Sequence, residues 1–523
     1  MCTSRRILTL LFLASTVTVC VACDIGDSPS DDNKQNESPS DIGTDDDSET
    51  EPDTGIDTET DTHSNEVNDF GIKIDAKEAK GCERVTVTKA ELSPKISTVG
   101  IIEWEADGKV DDAYIEFGPL DGDYQWQAPV DLNEEGYRTL LIGMKTNTKY
   151  KYRVVATIDD ESCVGGAHGI LTANLPTGIP LLTQEGKSSG GFLVTTSFVA
   201  SFGPTASWDG AIILDEDGDY VWWYNPDSFS VDWVRARISY DGKYMWLANG
   251  NYPDMRQGKI LKIAMDGTSE EVFNYPNRHH DLLTLPFDDI VTFMEYEKVG
   301  TSVCDQIVER AADGTTSVVF TVRDHFPDRE ESGEWCHSNA LNYVESEDAY
   351  YLSVLLQNMI VKFNRSTGEL VWTMGGEDTD FPGIWWEVQH QHHVLEDSIL
   401  IFNNYGGATD DRVVSEEDGA AAGGFLKDAI AHIVEYKFDE DTMEAELIWD
   451  YTDGTMGSMA MGDTKRLPNG NTQIVYSSSG VIQEVTPDME KVYEIRRNGS
   501  FGYANRRDSL YTLPPEYDYY PTR

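Results

Sequence analysis

"MIVKFNRSTGELVWTM", residues 359–374, has the shape that decides the fold. An alternating apolar strand runs into a turn built from Asn364, Ser366, Thr367 and Gly368, and a second strand ends on Trp372 and Met374. Period-two alternation on both sides of a Gly-containing turn reads as a β-hairpin. Five other segments share the shape: "AIILDEDGDYVWWY", "KILKIAMDGTSEEVFNY", "QIVERAADGTTSVVFTV", "HIVEYKFDEDTMEAELIWDY" and "VIQEVTPDMEKVYEI". With Ile212, Ile260, Ile307, Ile360, Ile433 and Ile482 as register points, the spacings are 48, 47, 53, 73 and 49 residues. The later copies are each preceded by another strand, such as "DGKYMWLAN" or "DAYYLSVLL". Repeats of this length with several short strands per copy are β-propeller blades. The count predicts an all-β chain with a six-bladed β-propeller over 177–523. Pairing "GGFLVTTSF" near 190 with a C-terminal strand such as "SLYTL" would close the ring and leave no open edge. The 73-residue interval holds Gly/Ala-rich "DGAAAGGF" at 418–425, read as a mobile loop on one face.

Upstream, short alternating strands from "RVTVTKAEL" to "KYKYRVVATI" predict a small β-sandwich over 70–176. "LLIGMKTNTKYKYRVVA" resembles the tyrosine-corner region of fibronectin type III domains, with Tyr150 or Tyr152 as the corner residue. Residues 23–69 are an acidic tether: 24–69 hold seventeen Asp or Glu against one basic residue, Lys34. Such a segment cannot bury enough apolar surface to offset ordering its backbone, so disorder is expected. Arg5, Arg6 and an apolar run ending at Val21-Ala22 read as a signal peptide over 1–22, too short for a membrane span. Cys23 resembles the lipidated cysteine of bacterial lipoproteins, although Cys20 stands where Leu is usual. The protein is thus expected outside the cytoplasm, lipid-anchored at the bacterial membrane or cell surface, or periplasmic. The net charge of −53 argues against nucleic acid or an anionic membrane surface as a partner, so a membrane is met only through the anchor. An oxidising compartment makes disulfides plausible, with Cys82–Cys163 the first pairing and Cys304–Cys336 the second.

Within the repeat, histidines recur near the start of a blade. His280 precedes Leu285 by five residues in "HHDLLTL", His337 holds the equivalent place in "CHSNALNYV", and His390 precedes Leu395 by five in "QHQHHVL". Equivalent positions of successive blades circle the central axis, so the three are expected to converge at one end of the channel. A single such histidine more often caps a strand or bonds a neighbouring blade; three in register weigh against that. Strand alternation puts His390 and His392 on one face and His393 on the other, which leaves His392, His393 and the ambiguous His279 as support. Converged imidazoles suit metal binding, with Asp281 and Glu334 at hand, or nucleophilic and acid–base catalysis, or plain ligand binding.

"HHD" at 279–281, "HSN" at 337–339, "IVKFNRSTGELVWTMGG" at 360–376 and "QH…LEDSILIFNN" at 389–404 resemble bacterial arylsulfate sulfotransferases, the arylsulfotransferase (ASST) family. The resemblance implies transfer of a sulfuryl group from a phenolic sulfate ester to a phenol acceptor. It implies neither a nucleotide sulfate donor nor any metal or other cofactor. Carried across, His390 is the nucleophile that is transiently sulfated, His280 and His337 serve as sulfate ligand and general acid or base, and Asn339 donates to the sulfate. His279, His392 and Asn404 line the same binding site. The family has an arginine in an "S-x-R" context, and here Leu355 takes its place. Losing a permanently charged bidentate donor should weaken transition-state stabilisation. Lys465 or Arg466, in the corresponding part of the last blade, could substitute; otherwise the chain is a non-catalytic ligand-binding propeller. A metal-dependent hydrolase or oxidase using the histidines is the more distant alternative.

Overall fold

The computed structural model describes residues 70–511, apart from 76, 199–207, 227–231, 251–256, 288–289, 328–331, 384 and 405–429. The signal peptide, Cys23, the acidic tether and the Gly/Ala-rich loop at 418–425 lie outside the described residues.

Six antiparallel sheets of at least four strands carry the repeat. Every register isoleucine sits in the third strand of its blade. Each faces a bulky apolar residue of the fourth strand: Ile212 opposite Trp223, Ile260 opposite Phe273, Ile307 opposite Phe320, Ile360 opposite Met374, Ile433 opposite Tyr451 and Ile482 opposite Ile495. All six isoleucines are fully buried. The period is therefore a packing period: strands buried on both faces stack against the next blade, and each needs a large side chain at the same depth.

The ring closes at two places. Phe192–Phe198 pairs with Ser500–Phe501 and Asn505–Arg507, so the first blade's innermost strand comes from the C-terminal part of the chain. Leu182–Gly186 adds a fifth strand to the outer edge of the last blade, against Lys491–Arg497. Sequence correctly picks "GGFLVTTSF", but its partner is "NRR" and not "SLYTL", of which residues 512 and 513 lie outside the described residues. Double closure ties strands some three hundred residues apart, and no blade edge is left open where the ring joins.

A sheet of Val85–Leu92, Gly100–Ala106 and Thr139–Leu141 packs on a second sheet centred on Val110–Pro119 and Lys149–Ile158. Trp104, Phe117, Tyr152 and Ile170 lie in their shared core. Tyr150 is the corner residue: its hydroxyl accepts the Lys145 N–H at 2.8 Å. Tyr152 instead stacks on His168. The sandwich is fastened to the first blades by Lys145, whose Nζ lies 3.2, 2.6 and 2.8 Å from Asp215, Asp217 and Asp219. The Thr98 hydroxyl adds a buried bond to the Val221 carbonyl. Both expected disulfides are formed, Cys82–Cys163 and Cys304–Cys336. Among the described residues no helix is long and apolar enough to cross a membrane.

Candidate active site

Each blade's innermost strand starts at the same end of the channel, and four of them carry a β-bulge there: Trp233/Arg235, His279/Leu282, Ser338/Ala340 and Gln389/His392. Bulges re-aim side chains next to a ligand site. His280 lies inside one bulge and His390 inside another, while His337 directly precedes its strand. The three do not occupy the same rung of their ladders. His280 and His337 also take left-handed backbone angles, φ 48° and 52°. Their rings meet at 4.7 Å between centroids, edge to face.

The bulge also breaks the expected alternation. His392 does not share the face of His390: its Nε2 lies 3.2 Å from the Tyr351 carbonyl and 3.1 Å from the Asn342 amide of the preceding blade. His393 turns to the following blade, where its Nδ1 accepts the Arg466 N–H at 3.0 Å. Both are buried joints between blades.

His390 is held in one tautomer. Asn404 Nδ2 donates to the carbonyls of Ser458 at 2.9 Å and Met461 at 2.7 Å, so its Oδ1 must face His390. That oxygen lies 2.7 Å from His390 Nδ1, which therefore carries the proton. Nε2 is left with its lone pair, which accepts the Met461 N–H at 3.0 Å. Burial lowers the His390 pKa to about 4, so the ring is neutral near pH 7.

His279 is the brace behind His280. Its Nε2 donates to Asp305 at 3.1 Å, and its ring stacks on Tyr296. Its Nδ1 lies 2.8 Å from His280 Nδ1, so the two rings share a hydrogen bond. Burial, then the neighbouring His337, holds the His280 pKa well below the usual value. Arg278 donates to the His280 carbonyl at 2.7 Å and fixes the strained turn from below. His337 differs. Burial pulls its pKa down, but Glu334, 2.6 Å from Nδ1, and the charge of Asp305 outweigh burial and raise it. The site thus pairs two neutral imidazoles with one that favours its proton.

Below the histidines a polar plug crosses the axis, drawn from all six blades. The Asp281 carboxylate takes Arg235 Nε at 2.5 Å, the Leu341 N–H at 3.2 Å and the Gln391 amide. Arg235 is fully buried, lies 3.6 Å from Asp463 and stacks on Tyr503, whose hydroxyl reaches the Asn339 carbonyl at 3.2 Å. Asn339 spends one N–H on the Gln389 carbonyl at 2.8 Å. Lys465 belongs to this lower layer. Its Nζ is 3.4 Å from the His392 carbonyl, and burial lowers its pKa to about 8. The Arg466 side chain is not brought to His280, His337 or His390: it pairs with Glu435 and bonds the Thr472 hydroxyl. Leu355 is buried, and its N–H faces the His337 carbonyl at 3.4 Å. Sequence reasoning missed Arg235, Arg278, Tyr503 and Met461. "RHHD" did place Arg278 beside the histidines, but nothing local marks a tyrosine that reaches the axis from the C-terminal strand.

Among the described residues, only Asp215, Asp217 and Asp219 gather three metal-ligating groups, and Lys145 is bonded to all three. The histidine rings do not bring three donor atoms to one point.

The arylsulfotransferase (ASST) family model matches residues 192–501, the body of the chain from the first blade to its closing strand. The chain belongs to the arylsulfotransferase (ASST) family. Arylsulfotransferase-type chemistry follows from that membership, with an aryl sulfate donor and a phenolic acceptor. No curated protein matches the chain. Among solved structures, TolB from Acinetobacter baumannii aligns with a TM-score of 0.40 at 11% identity, over 70% of this chain and 80% of its own. A virginiamycin B lyase from Staphylococcus aureus aligns at 0.35 and 12% identity, over 60% and 87%.

Proposed function

We propose that this arylsulfotransferase-family protein moves a sulfuryl group from a phenolic sulfate ester to a phenol acceptor through a sulfohistidine at His390. The observation that carries the reading is the Asn404-fixed tautomer of His390, a buried neutral imidazole whose Nε2 keeps its lone pair. The incoming sulfuryl group displaces the Met461 N–H from Nε2. The N–S bond forms as the S–O bond to the aryl group breaks, and the phenolate leaves. The sulfated ring is then cationic, and its Nδ1–H rests on Asn404 Oδ1. A second phenol gives its proton to His280 and attacks sulfur; the N–S bond breaks, neutral His390 returns, and His280 releases the proton to solvent or to the departing phenolate. Sulfuryl transfer, like phosphoryl transfer, spreads charge over the equatorial oxygens, so positioning and donors on those oxygens carry the rate. We assign His337 and the second N–H of Asn339 as those donors.

The test is mass spectrometry of the protein mixed with phenyl sulfate and rapidly quenched at alkaline pH. An acid-labile sulfate adduct on His390 that a phenol acceptor discharges supports the reading; no adduct and no turnover sinks it. One observation favours a second reading, a propeller that binds a ligand without transfer: Leu355 in place of the family's arginine. Binding of phenyl sulfate without an adduct would establish it. We further infer that Cys23 anchors the chain outside the cytoplasm, with 23–69 as a tether, which the mass of the mature N-terminus tests.

A further inference from the structure

We propose that Glu334 acts as a positioning residue which keeps His337 an imidazolium, so that His337 supplies the positive charge a guanidinium would supply from position 355. The inference rests on the sulfuryl-transfer reading above.

The geometry is local and specific. Glu334 and His337 sit on one short segment, stapled at Cys336 to Cys304 and laid along Ser302–Arg310 by parallel pairing of Glu334 with Val303. The carboxylate Oε1 lies 2.6 Å from Nδ1, so that nitrogen donates its proton to the carboxylate, and in the imidazolium the second N–H, on Nε2, is not used in that pair. The charged and titratable groups facing His337 come from three further strands. Asp305 belongs to Ser302–Arg310 and bonds the Ser338 N–H next door, adding a second negative charge. His280 and His390 belong to the flanking innermost strands, and both are neutral near pH 7, so neither opposes the proton strongly. Leu355 is bonded to His337 through the backbone, its N–H facing the His337 carbonyl at 3.4 Å. An arginine at 355 would therefore start from the backbone neighbour of His337. With leucine at 355, the chain has in His337 a histidine with a carboxylate on its Nδ1.

The two devices differ in one measurable respect. A guanidinium keeps its charge at any pH the protein survives, whereas an imidazolium loses it as pH rises through its pKa. Single-turnover sulfation of His390 by phenyl sulfate should therefore fall on the alkaline side. Glu334→Gln keeps a hydrogen-bonding group but removes the charge; it should move that fall to lower pH and slow sulfation at neutral pH by roughly tenfold or more, with the loss recovered in acid. Glu334→Asp should restore part of the rate. Adding Leu355→Arg to Glu334→Gln should restore the rate and flatten the alkaline limb. An alkaline limb that Glu334→Gln leaves in place overturns the inference. A second readout needs no turnover: NMR titration of histidine-labelled protein should find one imidazole, assigned by its loss in His337→Gln, titrating above the ordinary value and dropping below it in Glu334→Gln. A His337 that titrates at or below the ordinary value in the wild type also overturns the inference. Absence of sulfohistidine at every pH would instead sink the transfer reading, with the titration still deciding the charge of His337.

Discussion

Acid should spare the nucleophile and strain the fold. An ordinary histidine, with a pKa near 6.5, is about nine-tenths neutral at about pH 7.5 and only about one-tenth neutral at about pH 5.5. A nucleophile of that kind would lose about tenfold in rate over the interval. His390, lowered by burial to about 4, stays almost wholly neutral throughout, so sulfation should change by less than about twofold. The assay is quenched single-turnover transfer from phenyl sulfate, with far-ultraviolet circular dichroism at each pH to show an intact fold. The second check matters because a buried neutral histidine carries a linkage cost. Its folded pKa lies below its unfolded one, so between about pH 6.5 and 4 the unfolded chain binds a proton that the folded chain refuses. The contribution is complete above about pH 6.5 and is lost as pH falls toward 4, up to about 3 kcal/mol. In denaturant titrations His390→Asn should remove up to about 1.4 kcal/mol per pH unit from the acid slope. His392, held at about 3 by burial, should contribute a similar slope of its own. A tenfold fall in sulfation by about pH 5.5 with the fold intact, or an acid slope that His390→Asn leaves unchanged, would refute the argument.

Two other outcomes follow from named contacts. Arg235→Met takes from Asp281 its hydrogen-bonded cation and from Asp463 one of two, Lys465 remaining, and should cost about 3–5 kcal/mol in chemical denaturation; a change under about 1 kcal/mol would mean that the plug does not depend on this charge. Replacing Cys304 and Cys336 by serine opens a link across 32 residues, which the chain-entropy account values at about 3–4 kcal/mol, and it should also slow His390 sulfation by freeing the segment that carries Glu334 and His337. Serine at Cys82 and Cys163 should destabilise the sandwich but leave the sulfation rate as it was, since that bridge touches none of the histidines.

The blades were legible because their signal repeats. A third-strand isoleucine must fill the same space in every blade, so chance apolar residues drop out when six copies are compared. Ring closure had no such help. "LTQEG" and "NRR" are polar and short, and they are strands only because their partners lie at the far end of the chain. Local alternation cannot report a pairing of that range. The lysine and arginine at 465 and 466 failed to separate for a related reason. One residue along the strand turns the side chain from the plug, where Lys465 lies, to the gap between blades, where Arg466 meets Glu435.

The convergence of His280, His337 and His390 was legible, but by a route that holds only approximately. Counting residues to the next leucine put them in register, yet the ladder does not: His337 stands outside its strand, and the other two lie in bulges. What gathers them is backbone geometry that composition cannot express. A left-handed angle at a non-glycine residue costs on the order of 1–2 kcal/mol, and it persists only where the surroundings over-determine it. At His280 the Arg278 guanidinium holds the carbonyl; at His337 the disulfide, the Glu334 pair and the Leu355 N–H fix the turn. Neither turn lengthens a strand or adds to a core. The two turns bring the His280 and His337 rings edge to face at 4.7 Å between centroids. Strain kept at two such positions, and braced separately at each, is the mark expected of a functional site, and it fits the proposal that the three rings hold a sulfuryl group.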